Sequence, residues 1–395
     1  MPYDFDTIIP RTGTSSLKWD QAKALFGSAD VLPMWVADMD FHAPPEAVEA
    51  LKQRAAHGVF GYTVRPQSYF EAIIDWQKRR HGWTIPQQWL CGSPGVVTAL
   101  SLLIEMLTEP GDRVMLQSPV YHPFYQIISA NRRTIVRNPL RYANGRYEMD
   151  LEEMERQFVS ENVKLLLLCS PHNPVGRVWT RDELTALGNL CLKHGVIVLS
   201  DEIHGDIVYP GHKHIPFAAI SEAFARQSVT CIAPSKTFNI AGLHSSITII
   251  ANDDWRGQFN HRLQTLSLNS ENCFAQVAVE ACYRHGEPWL NALLAYLNEN
   301  VDTLLGFLAE NLPEVKVTRP EGTYMAWLDC REISTKPSEL KKLMYDYAKV
   351  AFNEGSMFGE EGAGFLRLNF GCPRALLLEG LQRFARGVQK FRGRG

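Results

Sequence analysis

The stretch that decides the fold is VKLLLLCSPHNPVGRVWTRDELTALGNLCLKHGVIVLSDEIHG, residues 163–205. Its first eight residues, VKLLLLCS (163–170), form an apolar run too short for a typical helix and read as a buried strand. RDELTALGNLCLKHG (181–195) then carries a helical pattern, and GVIVLS (195–200) is a second buried-strand candidate. Further on, SVTCIA (228–233) and HSSITIIA (244–251) repeat the theme. Strands alternating with helical patterns predict an α/β domain with a mainly parallel sheet covered on both faces. Such sheets bind ligands at the carboxyl ends of their strands, so the residues just after each apolar run carry the functional information.

The character changes near residue 286. The helical patterns PWLNALLAYLNENVDTLLGFLAENL (288–312) and PSELKKLMYDYAKVAFNEG (337–355) flank TYMAWLDC (323–330), and GFLRLNFG (364–371) follows. This predicts a smaller α+β domain, against which the aromatic, turn-rich first segment packs. The expected division is a large domain over 47–285 and a small domain made of 1–46 and 286–395.

Composition bounds the function. The 395 residues are 45% hydrophobic and 21% charged, as in globular proteins. A net charge of −3 creates no field that would recruit nucleic acid or an anionic membrane. The basic tail RFARGVQKFRGRG reads as a solvated helix end and frayed terminus. The N-terminus MPYDFDTIIPRTG has two acids and no apolar core, unlike a secretory leader. No apolar run approaches the ~18 residues that span a bilayer. Eight cysteines without a CxxC pair, several inside apolar runs, predict reduced, buried thiols and a cytoplasmic location.

At the strand ends, the residue types become specific. Asn173 sits between two prolines in SPHNPVG, which predicts an extended, rigid turn; alone it is equally a simple turn residue. Asp201 opens DEIHGD, with Glu202, His204 and Asp206 close behind. That cluster reads as a helix cap, a metal group lacking a further ligand, or a buried carboxylate facing a cation. Lys236 follows SVTCIAPS. A lysine near the floor of an α/β cavity is unusual, and burial would lower its pKa and make it a nucleophile for Schiff-base chemistry. Upstream, Gly92-Ser93-Pro94-Gly95 runs into a helix whose apolar stripe is Val96, Leu100, Leu103 and Leu107. Its free N–H groups suit a phosphate. GEEGAG (359–364) formally fits a glycine-rich loop but lies in the wrong context. A phosphate cradle, an aldehyde-accepting lysine, a carboxylate for a ring nitrogen and an asparagine for a phenolic oxygen together match one ligand, pyridoxal phosphate.

Here the chain resembles the fold-type I pyridoxal-phosphate enzymes, class I/II aminotransferase family, and within it the bacterial cystathionine β-lyase, or carbon–sulfur β-lyase, subgroup. The residues behind this are LPMWVADMDF (32–41), HGVFGYT (57–63), SPGVV (93–97), SPVYHPFY (118–125), SDEIHGDIV (200–208), PSKTFNIAGL (234–243) and GFLRLNFGCPR (364–374). The resemblance implies that Lys236 bonds the cofactor aldehyde, Asp201 keeps the pyridine nitrogen protonated and Asn173 donates to the ring oxygen. His204 stands where many relatives direct a tyrosine at that oxygen, and Tyr121 would stack on the ring. The amides of Val96 and Val97 and the hydroxyl of Ser235 would hold the phosphate. Lys236, Asp201 and Tyr121 would be the catalytic residues. Arg367 would clamp the substrate α-carboxylate, with Asn173 and Tyr62 beside it. Tyr62 would also reach the phosphate of a neighbouring subunit, which implies a homodimer with shared active sites.

Two departures stand out. The broader aminotransferase pattern has arginine eight residues after the lysine and often serine three before it; here these are His244 and Ala233. The lyase subgroup also lacks that arginine. The implied reaction is α,β-elimination from cystathionine or a related S-substituted cysteine, giving pyruvate, ammonia and a thiol. An aminotransferase using the same residues is the alternative, and a regulatory protein-binding role on the same scaffold is a second.

Overall fold

The computed structural model describes residues 3–143 and 145–393. Its central sheet has seven strands: β1 (Leu90–Ser93), β2 (Arg113–Leu116), β3 (Thr134–Arg137), β4 (Val163–Cys169), β5 (Ile197–Asp201), β6 (Ser228–Ile232) and β7 (Ser246–Ile250). They lie in the order β1-β7-β6-β5-β4-β2-β3. Pairings from β3 through β6 are parallel, and β7 runs antiparallel to both its neighbours. In the β4–β5 ladder, Leu165 faces Ile197 and Cys169 faces Asp201. The carboxyl ends of the two strands are therefore level.

Alternate side chains point to opposite faces of a strand, and both faces of this sheet are dry. On one face Leu165, Leu167, Leu199 and Val229 pack against Leu100, Leu103 and Ile104 of helix α1 (Val96–Leu107). On the other, Leu166, Leu168 and Val198 pack against Leu184, Leu187 and Cys191 of α2 (Arg181–His194). Burying each leucine contributes about 1.5–3 kcal/mol, which is why the strands read as unbroken apolar runs. Thr180 and Glu183 form a reciprocal capping box that starts α2, and Gly195, at φ 66°, ends it in the left-handed conformation. The chain thus returns to the sheet at Ile197 by local signals. After β6 comes a single helical turn, α3 (Pro234–Thr237).

The second sheet is antiparallel: β8 (Lys316–Val317), β9 (Met325–Asp329), β10 (Asn353–Glu354) and β11 (Phe365–Asn369), in the order β8-β9-β11-β10. Helices α4 (Glu287–Asn311) and α5 (Arg374–Arg392) share its core. The first segment joins this part directly, because Leu32–Pro33 pairs in parallel with Val350–Ala351.

The long helix expected over 337–355 is not formed. A regular helix covers Pro337–Lys342, a wider π turn covers Leu343–Ala348, and Lys349 turns the chain at φ 56°. Residues 350–354 are extended because they pair with Leu32–Pro33 and with Arg367 and Leu366. Strand pairing overrides the local helical pattern there. The basic tail is helical through Arg392, with Leu381, Phe384 and Val388 buried at helical spacing. Its last two residues, 394 and 395, lie outside the described residues. Glycine 92 and Ser93 belong to β1, so the turn before α1 is Pro94-Gly95 alone. Among the described residues no helix is long and apolar enough to cross a membrane.

Candidate active site

At the carboxyl ends of β4, β5 and β6 lies a cavity of about 340 Å³. Asn173, Asp201, His204, Tyr121, Lys236, Ser235, Val96 and Val97 all line it, so eight of the ten residues singled out from the sequence meet in one place.

Lys236 is held from several directions. Thr237 Oγ1 donates to Asp206 Oδ2 (2.9 Å), which fixes the turn beneath it. Asn239 donates to the carbonyls of Met39 (2.9 Å) and Phe41 (2.8 Å) and accepts from the Met39 amide, tying the turn to the first segment. The Lys236 amine itself donates to the carbonyl of Ala37 at 2.7 Å. Burial lowers its pKa to about 8; Arg367 pushes the same way, while Asp38 and Asp201 oppose. A fraction of this amine is therefore neutral near physiological pH, as a nucleophile requires.

Asp201 is 4% exposed, and its Oδ1 accepts from the Ile203 amide at 3.1 Å. Burial raises its pKa to about 7, against the pull of that N–H and of Lys236. A carboxylate this dry, with no ion pair among the described residues, is set up to receive a cation. Its neighbours do not form a metal group. Glu202 accepts from Ser200 Oγ (2.8 Å) and the Phe217 amide (2.9 Å) and pairs with His214 (2.9 Å). Asp206 is engaged by Trp76, His81 and Thr237. Alternating side chains in DEIHGD thus leave for separate partners. Among the described residues no group of three or more His, Cys, Asp or Glu side chains could hold a metal.

His204 is driven down to about 3 by burial, with Lys236 and Arg367 adding to the effect, so its ring is neutral. Its Nδ1 is buried without a hydrogen-bond partner among the described residues. Asn173 sits in a tight turn closed by the His172–Arg177 bridge, with both X-Pro bonds cis; the expected extended conformation is not found. Its Oδ1 accepts from Arg367 Nη1 (3.1 Å), which leaves its amide nitrogen available as a donor.

Arg367 on β11 is 2% exposed and has no carboxylate partner among the described residues. Nη2 donates to the carbonyl of Trp35 (2.8 Å) and to Asn353 Oδ1 (2.7 Å), the guanidinium lies 4.8 Å from the centre of the Phe358 ring, and Nε is unpartnered. Burial lowers its pKa to about 10. A buried cation satisfied by neutral groups alone has unspent affinity for an anion.

At the opposite end, Val96 and Val97 open α1, whose N-cap, Gly95, offers no side-chain cap. The first amides of this three-turn helix are free for an anion, and Ser235 lies beside them. His244 also lines the cavity, at φ 54°. Ala233, buried at the N-cap of α3, offers no hydroxyl. Tyr62 does not line this cavity. It is fully exposed in a segment where Val59, Phe60 and Val64 are exposed too.

Sequence reasoning missed Ala37, whose carbonyl accepts from both Lys236 and Tyr324 Oη (2.8 Å), and the Arg367 partners Trp35 and Asn353. Ala37 and Trp35 lie in the quoted LPMWVADMDF, but their backbone carbonyls and the Asn353 side chain acquire these roles only from what folds against them.

The fold and the cavity define a class: an α/β protein whose sheet ends in a site holding a half-buried primary amine, a buried carboxylate and a buried arginine with no acid partner among the described residues. The chain belongs to the aminotransferase class I and II family, which matches residues 29–384. It is 48% identical over 380 residues to cystathionine beta-lyase PatB of Bacillus subtilis, covering 96% of this chain and 98% of that one. It superposes on cystalysin of Treponema denticola, a structure containing pyridoxal 5′-phosphate, with a TM-score of 0.96 and 37% identity over 99% of this chain and 100% of the other. The PLP-bound C-S lyase of Staphylococcus hominis gives a TM-score of 0.92 and 34% identity over 98% of each chain. The fold-type I architecture expected from the sequence is the architecture found.

Proposed function

We propose that this protein is a pyridoxal-phosphate-dependent carbon–sulfur β-lyase that releases pyruvate, ammonia and a thiol from L-cystathionine and related S-substituted cysteines. The meeting of Lys236 and the buried carboxyl of Asp201 in one cavity supports the cofactor chemistry, and the 48% identity to cystathionine beta-lyase PatB carries the choice of lyase over aminotransferase.

The residues present fit the cofactor. Lys236 would bond its aldehyde, Asp201 would accept the proton-bearing ring nitrogen, and Asn173 and His204 Nδ1 would meet the ring oxygen. Tyr121 would cover the ring, and the amides of Val96 and Val97 with Ser235 would hold the phosphate. When bound, the cofactor supplies an electron sink for the bond made and broken at the substrate Cα.

The rest is done by the chain. Arg367 holds the substrate α-carboxylate, which fixes the Cα–H bond relative to Lys236. The Lys236 amine removes the Cα proton as general base. Loss of the Cβ–S bond then expels the thiolate, and the unsaturated amine left behind takes up water to give pyruvate and ammonia. Buried His204 and Asp201, with half-buried Tyr121, limit water around the proton transfer at Cα that precedes this hydrolysis.

The same reading makes the protein a homodimer. The exposed apolar run Val59, Phe60, Tyr62 and Val64 suits burial by a second copy, with Tyr62 entering that copy's site. Eight free thiols, seven of them buried, suit a reducing compartment such as the cytoplasm.

The test is incubation of the holoenzyme with L-cystathionine and no keto acid. Pyruvate and free thiol in equal amounts are expected. No release under these conditions, with turnover appearing on addition of a keto acid, would make the protein an aminotransferase instead.

A further inference from the structure

Lys236, Ala37, Ala241 and His244 line a second cavity as well as the first. This chamber, about 620 Å³, lies between the first segment and residues 236–244, and its polar wall includes Arg11, Asp38, Asp40, His42 and Asn239.

The charges in that wall are ordered. Asp40 is saturated: it takes Arg11 Nη1 at 2.7 Å, Lys18 Nζ at 2.6 Å and Trp19 Nε1 at 2.9 Å. With Lys18 1% exposed, this carboxylate anchors Arg11. Asp38 is different. It meets Arg11 through two parallel contacts, 2.8 and 3.2 Å, and the two side chains keep 22% and 21% of their surface open. Lys18 Nζ also lies 3.7 Å from Asp38 Oδ1, and Arg11 Nη1 donates to the carbonyl of Met39 at 3.2 Å, so an acid and a base stand side by side, held in place and partly exposed in the chamber wall. The chamber lies next to the reacting amine, and Asp38 is near enough for its charge to act on Lys236.

If the substrate Cα is held between Lys236 and Arg367, its Cβ substituent must extend away from both the α-carboxylate and the cofactor. The chamber adjoining Lys236 offers that room. A lone carboxylate would select cationic tails and a lone arginine anionic ones, whereas a fixed Asp–Arg pair presents both charges to one ligand. We propose that this chamber is the leaving-group subsite, in which Arg11 and Asp38 recognise the carboxylate and ammonium of an amino-acid tail on the departing thiol. The inference rests on the β-lyase reading and narrows its substrates to those whose thiol half is itself an amino acid, as in cystathionine and cystine.

The test compares kcat/KM of the wild-type holoenzyme for four substrates: L-cystathionine, S-(3-aminopropyl)-L-cysteine, S-(3-carboxypropyl)-L-cysteine and S-ethyl-L-cysteine. Removal of either charge from the tail should lower kcat/KM by about 10- to 100-fold, the range for a charged hydrogen bond. Asp38→Asn and Arg11→Gln should each reduce the ratio of cystathionine to S-ethylcysteine turnover about tenfold or more. Equal kcat/KM for all four substrates, or variants that slow both members of the ratio alike, would overturn the subsite and leave the lyase reading standing. Absence of pyruvate from all four would overturn both.

Discussion

The cofactor-free protein is predicted to be stabilised by removing one of its own key residues. Asp201 titrates at about 7 in the fold against 3.8 for an ordinary aspartate, and burial is the main cause. Below about pH 4 the carboxyl is protonated in both folded and unfolded chains, so its burial carries no electrostatic cost. Between pH 4 and 7 the unfolded chain releases the proton and the folded chain keeps it. Stability therefore falls as pH rises, by about 1.4 kcal/mol for each tenfold drop in proton concentration. Above pH 7 both forms are ionised and the loss levels off at about 4 kcal/mol, a ceiling that local relaxation lowers. Asp201→Asn keeps the shape and an oxygen for the Ile203 amide but has no charge to desolvate. Urea unfolding of cofactor-stripped wild type and variant, at pH 5 and pH 8, measures the difference. The variant should gain about 2–3 kcal/mol relative to wild type between the two pH values while the reconstituted enzyme loses its lyase activity. A stability gap that does not change with pH, or a wild type that gains on the variant at pH 8, would refute the reasoning.

Other outcomes follow from the same geometry. Arg367→Lys cannot reproduce the two-pronged guanidinium, and kcat/KM for every S-substituted cysteine should fall about 10- to 100-fold, mostly through KM; an unchanged KM would remove Arg367 from substrate binding. Lys236→Ala should leave no borohydride-reducible bond between protein and pyridoxal phosphate, as read by mass spectrometry; a persisting adduct would assign the bond to another amine. Thr237→Val deletes the buried donor to Asp206 beneath Lys236 and should cost about 1–3 kcal/mol in thermal or urea unfolding; an unaltered transition would show that the contact does not hold the turn. His244→Arg should leave elimination as the reaction and change cofactor affinity and its pH dependence, measured by equilibrium dialysis. If neither moved, His244 would have no part at the phosphate.

The strand-end residues were legible because parallel strands buried on both faces tolerate small hydroxyls such as Ser200 and Thr230 but seldom an unpaired charge. Any polar residue just after VKLLLLC, GVIVLS or SVTCIA had to sit at the sheet's carboxyl edge, and Asn173, Asp201 and Lys236 do. The stripe of α1 was equally plain from its spacing. The stretch 337–355 was not, because its helical pattern and its extended end differ only in what pairs with it. Tyr62 was legible as a motif and has no place in the site of its own chain.

By itself, then, the sequence determined the alternating α/β frame, the identity of the lysine, carboxylate and asparagine at its edge, and the arginine on the later strand. Their effect was decided by tertiary structure. Packing around Asp201 and Lys236 removes water from both, and that raises one pKa while lowering the other. Arg367 would serve as an anion receptor because β11 brings it against Asn173, Asn353 and the carbonyl of Trp35, with no acid paired to it among the described residues. The chamber of Arg11 and Asp38 exists because Leu32–Pro33 pairs with Val350–Ala351 and Asn239 draws residues 39–41 to the lysine turn. Desolvation and contacts across some two hundred residues are properties of the folded chain, and no local pattern encodes them.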